Sequence, residues 1–230
     1  MKFFYDLHIH SDLSPCGNSD MTPNNIINMS YLKGLNVISV TDHNTAENLP
    51  SILMLGKKIG LKVIPGIEVT TREEVHVLCY FKKLEDAVDF GNIIYASLPD
   101  IKNNAAIFGE QNIYNSKDEI VGFLDKLLLN ASKYTIEDVY SMAKARHGIM
   151  VPAHINKKSN GILGVLGFIP LNLKIDFVEV YSKNEIDIRL VENFKILINS
   201  DAHQLTDISE AKNSVELDNV DNIYDYLNIK

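Results

Sequence analysis

The chain has no tryptophan, only two cysteines and no long apolar run among its 230 residues. The two cysteines, Cys16 and Cys79, are too few for a disulfide scaffold and form no Cys-x-x-Cys zinc motif. No apolar stretch approaches the roughly 20 residues that a membrane helix needs, and the start MKFFYD turns polar too early for a signal peptide. We therefore expect a cytoplasmic protein without a membrane partner.

The chain also has fewer basic than acidic residues. The chain has 22 Lys and Arg against 30 Asp and Glu, which gives a formal net charge of −8. Because long nucleic acids are bound by Lys and Arg side chains that neutralise phosphates, this balance argues against an extended nucleic-acid partner. It does not exclude a small phosphorylated substrate, since divalent cations in a site would reverse the local charge.

The length and the apolar content of 46% are ordinary for a globular protein and suit one large α/β domain, or a domain with an insertion. Short apolar runs alternate with helical patterns along most of the chain. The pattern predicts seven short strands, mostly separated by helices, which favours a parallel barrel over an open sheet.

This alternation is interrupted over residues 82–133, which contain no clear buried strand and exceed the usual connection between barrel elements. We interpret this stretch as an inserted α+β segment, with the barrel formed by residues 1–81 and 134–230. Residues 112–121 predict a small hairpin around a polar turn. The insertion is a candidate lid or cap. Its aromatic residues Tyr95, Phe108 and Tyr114 are candidates to stack on a base, although a small core of the insertion is the simpler explanation for them.

The positions of the histidines carry the functional information. His8 and His10 are two residues apart on the first predicted strand, so their imidazoles share one face. Six of the seven histidines lie within or just after predicted strands: His8, His10, His43, His76, His154 and His203. Carboxylates occupy equivalent places: Asp6, Asp42, Glu68 and Asp201. Imidazole with carboxylate suits Mn, Fe or Zn, and so many ligands indicate two or three divalent ions.

These segments resemble the motifs of the PHP (polymerase and histidinol phosphatase) family of metal-dependent phosphoesterases. The matching segments, in the family's order, are DLHIHS at 6–11, TDH at 41–43, GIEV at 66–69 with His76, Ala153-His154, and SDAH at 200–203. The resemblance implies a distorted seven-stranded (β/α)7 TIM-like barrel with a trinuclear metal site.

The resemblance also implies a role for each ligand. The first ion is expected on His8, His10, Glu68 and Asp201, the second on His43 and His203, and the third on Glu68, His76 and His154, with Glu68 bridging. Catalytic roles are expected for Asp201, His203 and Glu68. Many family members complete the second site with an aspartate or histidine shortly after the first motif. Here either Cys16 or Asp20 takes that place, or the second ion is loosely held. Spacing favours Cys16, with an ordinary loop cysteine as its alternative.

Phosphate binding requires cationic side chains near the metals. The candidates are Arg72, Arg146, Lys157, Lys158 and Lys183, although each taken singly is more simply an ordinary surface charge. Asp6 and Asp42 lie beside ligands and are candidates to orient imidazoles. The resulting hypothesis is hydrolysis of a small phosphate ester, such as a nucleotide or phosphorylated metabolite, by a metal-activated hydroxide. The alternatives are an end-acting nuclease and a metal-binding or regulatory module whose chemistry has lapsed.

Overall fold

In a computed structural model, which describes residues 1–182 and 184–228, the chain adopts an α/β fold. The strands in these residues are β1 (Lys2–Ile9), β2 (Val37–Val40), β3 (Lys62–Val63), β4 (Gly66–Thr70), β5 (His76–Tyr80), β6 (Asn112–Tyr114), β7 (Ile120–Phe123), β8 (Ile149–Pro152), β9 (Phe177–Glu179), β10 (Lys195–Leu197) and β11 (Ser214–Glu216). The α-helices are α1 (Pro23–Leu32), α2 (Leu49–Ile59), α3 (Leu84–Ser97), α4 (Ala105–Phe108), α5 (Ile136–Ala145), α6 (Ile162–Val165) and α7 (Ile223–Leu227).

The strands lie in four small sheets. Their orders are β11-β1-β2-β3, β4-β5-β8, β9-β10 and β6-β7. Single bridges join some of these sheets where the predicted ligands lie, because His43 pairs with Glu68 and Ile9 pairs with Ala202. The polar segments that follow β1, β2 and β10 are therefore brought together with β4.

The predicted seven-stranded parallel barrel is not observed as one closed sheet in the described part of the chain. Strand β5 runs antiparallel to both β4 and β8, and β11 runs antiparallel to β1. The reason for the β4–β5 geometry is local, because only a short turn from Thr71 to Val75 separates the two strands. A parallel connection needs a dozen or more residues, whereas a turn this short permits only a hairpin.

A second departure from a closed barrel lies between β1 and β10. Here a side chain takes the place of a backbone ladder, because the amide oxygen of Asn199 accepts a hydrogen bond from the Leu7 N–H at 2.9 Å. The Asp6 carboxylate accepts bonds from the N–H groups of Ser200 at 3.0 Å and Ser209 at 2.8 Å. These bonds fix the segment that follows β10, which carries Asp201, against β1.

The core is packed on both faces of the strands. Leu7, Tyr80 and Phe177 belong to a buried cluster that the C-terminal helix α7 covers with Ile223 and Leu227. Two further clusters lie between the strands and the flanking helices. No helix in the described residues is long and apolar enough to cross a membrane.

The segment 82–133 contains α3, α4 and the β6–β7 hairpin. The hairpin predicted at 112–121 is confirmed by the antiparallel pairing of β6 with β7. Helix α3 contributes Phe90 to a main core cluster. The hairpin contacts the loop after β1, because the Tyr114 hydroxyl donates to the Asp12 carboxylate at 2.5 Å and Asn112 donates to the same oxygen at 2.9 Å. A role for this segment as a lid stays a prediction.

Other predicted elements differ in length. The apolar run at 61–69 predicts one strand, but the structure divides it into β3 and β4, since Pro65 between them lacks an N–H for a ladder bond. The sequence pattern after residue 181 predicts a helix that ends near residue 191, but the described residues there form a single 3₁₀ turn at Ile188–Leu190.

Gly66 lets β4 approach β2 closely enough to deliver Glu68. A Cβ on Gly66 would lie 2.4 Å from Ser39 Oγ and 2.8 Å from Thr41 Cγ2. We expect Gly66→Ala to lower the free energy of unfolding by about 1–3 kcal/mol, measured by denaturant unfolding, because added atoms strain a packed core. The control is Gly122→Ala in β7, where the nearest atom would lie 3.6 Å away. Equal effects of the two substitutions would contradict the close approach.

Candidate metal centre

The Glu68 carboxylate lies at the centre of the predicted ligands. Its exposed fraction is 1%. The nitrogens nearest to Glu68 Oε1 are His76 Nδ1 at 2.9 Å, His154 Nε2 at 3.2 Å and His8 Nε2 at 3.4 Å. The nitrogens nearest to Oε2 are His43 Nδ1 at 3.0 Å and His10 Nε2 at 3.3 Å. Five imidazoles from four segments of the chain thus converge on one carboxylate.

The strands place these groups. Alternation along β1 puts His8 and His10 on one face, with their Nε2 atoms 3.1 Å apart. The backbone around His43 pairs with Glu68, because the Glu68 N–H donates to Asp42 O at 3.2 Å and the Asn44 N–H donates to Glu68 O at 2.8 Å. His76 begins β5 and therefore faces the centre from an antiparallel strand.

Asp201 and His203 enter from the segment after β10. Asp201 Oδ1 lies 3.3 Å from the Nε2 atoms of both His8 and His10. The His203 ring stacks on His10, with centroids 4.6 Å apart. Asp201 and His154 both have positive φ, at 53° and 29°. Such backbone conformations cost about 1–3 kcal/mol in residues other than glycine and cluster at functional sites.

The donor set fits divalent metal ions. The Nε2 atoms of His8 and His10 face each other, although a neutral imidazole protonated at Nδ1 presents only a lone pair there. Three buried atoms of the predicted ligands have no hydrogen-bond partner among the described residues: His43 Nδ1, His154 Nδ1 and Glu68 Oε2. His43 Nδ1 and Glu68 Oε2 are 3.0 Å apart yet lack hydrogen-bond geometry. Buried polar atoms without partners are costly, and cations would satisfy acceptors of this kind.

Three groups of ligand atoms each lie within 4.8 Å of one another. These are His8, His10 and Asp201; His43, Glu68 and His76; and His10, Cys16, His43 and His203. Nitrogen, oxygen and one sulfur donor suit Mn, Fe or Zn. The identity of the metal stays a prediction.

The protonation states favour ligation at the centre. Burial raises the pKa of Glu68, but the imidazoles of His76, His8 and His43 outweigh this effect and hold the pKa well below its ordinary value. Burial and the neighbouring His203 and His43 lower the pKa of His10 well below its ordinary value. Glu68 is therefore an anion and His10 is neutral, which are the forms that bind metal. Burial lowers the pKa of His8 and His43, but Glu179 beside His8 and Cys16 beside His43 outweigh this effect and raise both pKa values, so a bound cation would displace protons from these two rings.

Glu179 is a site residue that the sequence reasoning missed. Both of its carboxylate oxygens lie 3.0 Å from His8 Nδ1. It also accepts bonds from the His154 N–H at 2.8 Å and from the Asn199 amide at 2.7 Å. Burial raises the pKa of Glu179, but His8 outweighs this effect and lowers it. The available signal was a single acidic residue in the otherwise apolar strand FVEVY.

Asp42 and Asp6 have separate structural roles. Asp42 accepts a bond from Ser14 Oγ at 2.7 Å, and that hydroxyl lies 3.1 Å from His10 Nδ1. Asp42 therefore contacts an imidazole through Ser14, consistent with its predicted orienting role. Asp6 instead holds the backbone of the segment before Asp201, and among the described residues it makes no hydrogen bond to an imidazole.

The two candidates for completing the second ion's site are placed differently. The Cys16 sulfur lies with His10, His43 and His203. Burial raises the pKa of Cys16, but His43 and His203 outweigh this effect and lower the pKa to about 7. Asp20 is exposed and belongs to none of the three ligand groups found in the described residues.

The predicted phosphate-binding residues are dispersed. Lys157 lies at the centre, where its ammonium donates to Asp201 Oδ2 and sits 4.5 Å from the ring centroid of Tyr181. Lys158 lines a neighbouring cleft with Lys157. Arg146 bonds Asp89 at 2.6 Å at the end of α5, and Arg72 is exposed in the β4–β5 turn. Lys183 lies outside the described residues.

A polar cavity of about 130 Å³ opens at the cluster. His43, Glu68, His154, Lys157, Asp201 and His203 are among its lining residues. A second cavity of about 460 Å³ shares Lys157, Asp201 and His203 with the first. Within the described ranges, neither lining includes Arg72 or Arg146.

Comparison with known proteins places this arrangement among related enzymes. A 5'-3' exoribonuclease of Haemophilus influenzae is 30% identical over 77 residues, which are 32% of this chain and 27% of that protein. The chain therefore matches much less than half of that relative's length.

Solved structures share the fold over most of the chain. A lesion-specific endonuclease from Pyrococcus furiosus superposes with a TM-score of 0.71 at 21% identity, covering 99% of this chain and 56% of that one. A candidate metal-dependent phosphoesterase from Bifidobacterium adolescentis gives a TM-score of 0.61 at 18% identity, covering 94% and 91%. At these identities the likeness establishes the fold alone.

A profile of the PHP domain matches residues 6–225, nearly the whole sequence. The chain therefore belongs to the PHP domain family, whose members are metal-dependent hydrolases.

Proposed function

We propose that the chain is a phosphoesterase that hydrolyses small phosphate esters with two or three divalent ions held around Glu68. The observation that carries this proposal is the convergence of five imidazoles on one buried carboxylate. The ions would be held by His8, His10, Glu68, His43, His76, His154, Asp201 and His203. When bound, divalent ions lower the pKa of a coordinated water and neutralise charge on phosphoryl oxygens.

The chain's own residues prepare the site for this chemistry. Glu179 accepts a hydrogen bond from His8 Nδ1 and so directs His8 Nε2 to the centre as a lone-pair donor. Ser14, fixed by Asp42, holds His10 in the corresponding way. The buried carboxylates of Glu68 and Asp201 supply negative charge that binds cations. Asp201 and His203 also face the larger cavity, where a substrate would meet the cluster.

Lys157 is the phosphate-binding candidate that the geometry supports best. Burial lowers its pKa, but the Asp201 carboxylate outweighs this effect and raises it, so the ammonium stays charged. It lines both cavities. We propose that it contacts a phosphoryl oxygen of the substrate, with Lys158 at the adjoining cleft.

The preference for small esters rests on charge. The chain carries a net charge of −8. Lys157 is the single Lys or Arg among the described residues that line the cavity of about 130 Å³ at the cluster. A nucleic-acid track would need several cations to neutralise successive phosphates. The second candidate is a nuclease, which the names of the Haemophilus relative and the Pyrococcus structure favour. The intact donor set favours either enzyme over a lapsed module.

The substrate classes can be separated by a direct assay. The protein, purified without chelator and supplied with manganese, is assayed on p-nitrophenyl phosphate, phosphorylated metabolites, mononucleotides and oligonucleotides. We expect turnover of monoesters and mononucleotides. Cleavage of oligonucleotides without turnover of mononucleotides would favour the nuclease.

Removing one predicted ligand should abolish the chemistry. We expect His8→Ala to lower turnover at least about 100-fold and to reduce bound metal by about one equivalent, since loss of even an outer-shell partner typically costs 10–100-fold. The matched control is His147→Asn, because His147 lies outside the cluster at the end of α5 and has a positive φ of 55° that asparagine tolerates. Metal analysis of the purified variants is the readout. Unchanged metal content in His8→Ala would contradict the proposed site.

Glu179 should act through His8 rather than on substrate. We expect Glu179→Gln to weaken metal binding about 10–100-fold while leaving the circular dichroism spectrum unchanged, because the amide fills the same space but presents a single acceptor oxygen. Competition with a chromogenic chelator measures the affinity. Glu216→Gln, on the exposed edge of β11, is the control. Equal affinities in the two variants would rule out the orienting role.

A further inference from the structure

Asn48 lies directly before α2, between the inserted hairpin and the metal centre. Its exposed fraction is 1%. An asparagine in this position usually accepts a hydrogen bond from an N–H group of its own helix. The Asn48 side chain makes no such capping bond. Its amide group is therefore free to bond to groups outside α2.

The first of these groups belong to the hairpin. The Tyr114 N–H donates to Asn48 Oδ1 at 2.8 Å, and Asn48 Nδ2 donates to Asn112 O at 3.3 Å. Ser51 in the first turn of α2 donates from Oγ to Tyr114 O at 2.7 Å. Because a backbone N–H can only donate and a backbone C=O can only accept, these bonds determine which way the Asn48 amide faces. Strand β6 is thus held by its backbone at the start of α2.

On its other side, Asn48 contacts the polar groups behind His10. Asn48 Nδ2 donates to Ser11 Oγ at 2.9 Å. The Ser11 hydroxyl donates to Asp42 Oδ2 at 2.6 Å, and Ser14 Oγ donates to Asp42 Oδ1 at 2.7 Å. Ser14 Oγ lies 3.1 Å from His10 Nδ1. A continuous chain of buried hydrogen bonds therefore connects the hairpin to a predicted metal ligand.

The direction of these bonds defines the tautomer of His10. Both serine hydroxyls donate their protons to the Asp42 carboxylate, so the lone pairs of Ser14 Oγ accept from the His10 ring. His10 then carries its proton on Nδ1 and presents the lone pair of Nε2 to the centre. Asn48 fixes the far end of the chain, because the hydrogen that it donates leaves the Ser11 proton directed at Asp42.

We propose that Asn48 is a positioning residue for the metal centre, and that through it the β6–β7 hairpin is a permanent support of His10 rather than a movable lid. The members of a buried hydrogen-bond chain orient and polarise one another, so a change at Asn48 reaches His10. The inference rests on the proposed metal-dependent function and assigns part of the site's support to the inserted segment.

Zinc affinity measures the effect of Asn48 on the site. Asn48→Asp keeps an oxygen acceptor for the Tyr114 N–H but loses the donor to Ser11, so the hairpin stays docked while the chain is broken. We expect it to weaken Zn²⁺ binding about 3–10-fold, less than the 10–100-fold typical of a partner that contacts a ligand directly. Competition with a chromogenic chelator gives the affinity, and circular dichroism establishes that the variant is folded.

The control removes a different anchor of the same hairpin. Asp118 in the turn before β7 accepts a bond from Thr22 Oγ at 2.6 Å and from the Asn24 N–H at 3.0 Å, at the start of α1. Its φ of 59° is one that asparagine tolerates. We expect Asp118→Asn to lower the midpoint of thermal unfolding and to leave zinc affinity unchanged. The same pattern in Asn48→Asp would mean that Asn48 only stabilises the fold, and would overturn the inference.

Two further readouts separate positioning from stability. In a Ser14→Ala background, Asn48→Asp should cause no additional loss of zinc affinity, because the two residues act through one chain. Long-range ¹H–¹⁵N spectra of the metal-free protein should show His10 protonated at Nδ1 in the wild type and a mixture of tautomers in Asn48→Asp. Additive losses, or an unchanged tautomer, would overturn the positioning role.

Hydrogen exchange tests whether the hairpin opens. We expect the Tyr114 amide of the zinc-loaded protein to exchange as slowly as the amides of β5, with and without inorganic phosphate, because it is held in a buried bond. Fast exchange at Tyr114 while β5 stays protected would indicate a lid and overturn the proposed support.

The outcomes also distinguish this inference from the proposed function. A wild-type protein that binds zinc and hydrolyses phosphate esters, with equal zinc affinity in Asn48→Asp, would overturn the role of Asn48 and leave the proposed function standing. A wild-type protein that binds no divalent ion would overturn both.

Discussion

The structure depends on keeping one almost completely buried carboxylate charged. An isolated carboxylate in such surroundings would take up a proton, because the loss of hydration disfavours its charged form. Glu68 avoids this through the imidazoles around it, which hold its pKa well below the ordinary value. Those imidazoles are brought together from four segments of the chain, with His8 and His10 side by side on β1. The fold can therefore be understood as the arrangement of strands that delivers them.

The supporting bonds follow from the same constraint. Imidazoles that face a centre need a partner on their outer nitrogen, or their tautomer and orientation are undefined. Glu179 supplies that partner to His8, and Ser14 with Asp42 supplies it to His10. Asp6 and Asn199 perform a related task on the backbone, because they fix the segment before Asp201 against β1. The site thus consists of a ligand layer and a layer of buried polar groups behind it.

The ligand layer could be predicted because its residues occur at the ends of apolar runs, where strand alternation and position give a geometric expectation. The second layer could not be predicted in the same way. Glu179 acquires its role only when β9 lies beside β1 and β8, and a lone acidic residue in FVEVY does not specify those neighbours.

The closed parallel barrel that the strand count predicted is not observed in the described residues, and the reason is local. The five-residue turn before His76 permits only an antiparallel strand, so turn length contained information that the strand count did not. The side-chain bridge from Asn199 to Leu7 depends on packing and leaves no periodic signal in the sequence.

The contact between Leu7 and Asn199 also has a consequence for assembly. The two residues are 192 positions apart, and His8 is 171 positions from Glu179. During synthesis the first strand therefore leaves the ribosome on the order of ten seconds before the residues that orient its histidines. During this interval the pair of His8 and His10 lacks the carboxylates of Glu179 and Asp201. The full set of ligands and supporting groups can therefore assemble only after the segment that follows β10 has docked beside β1.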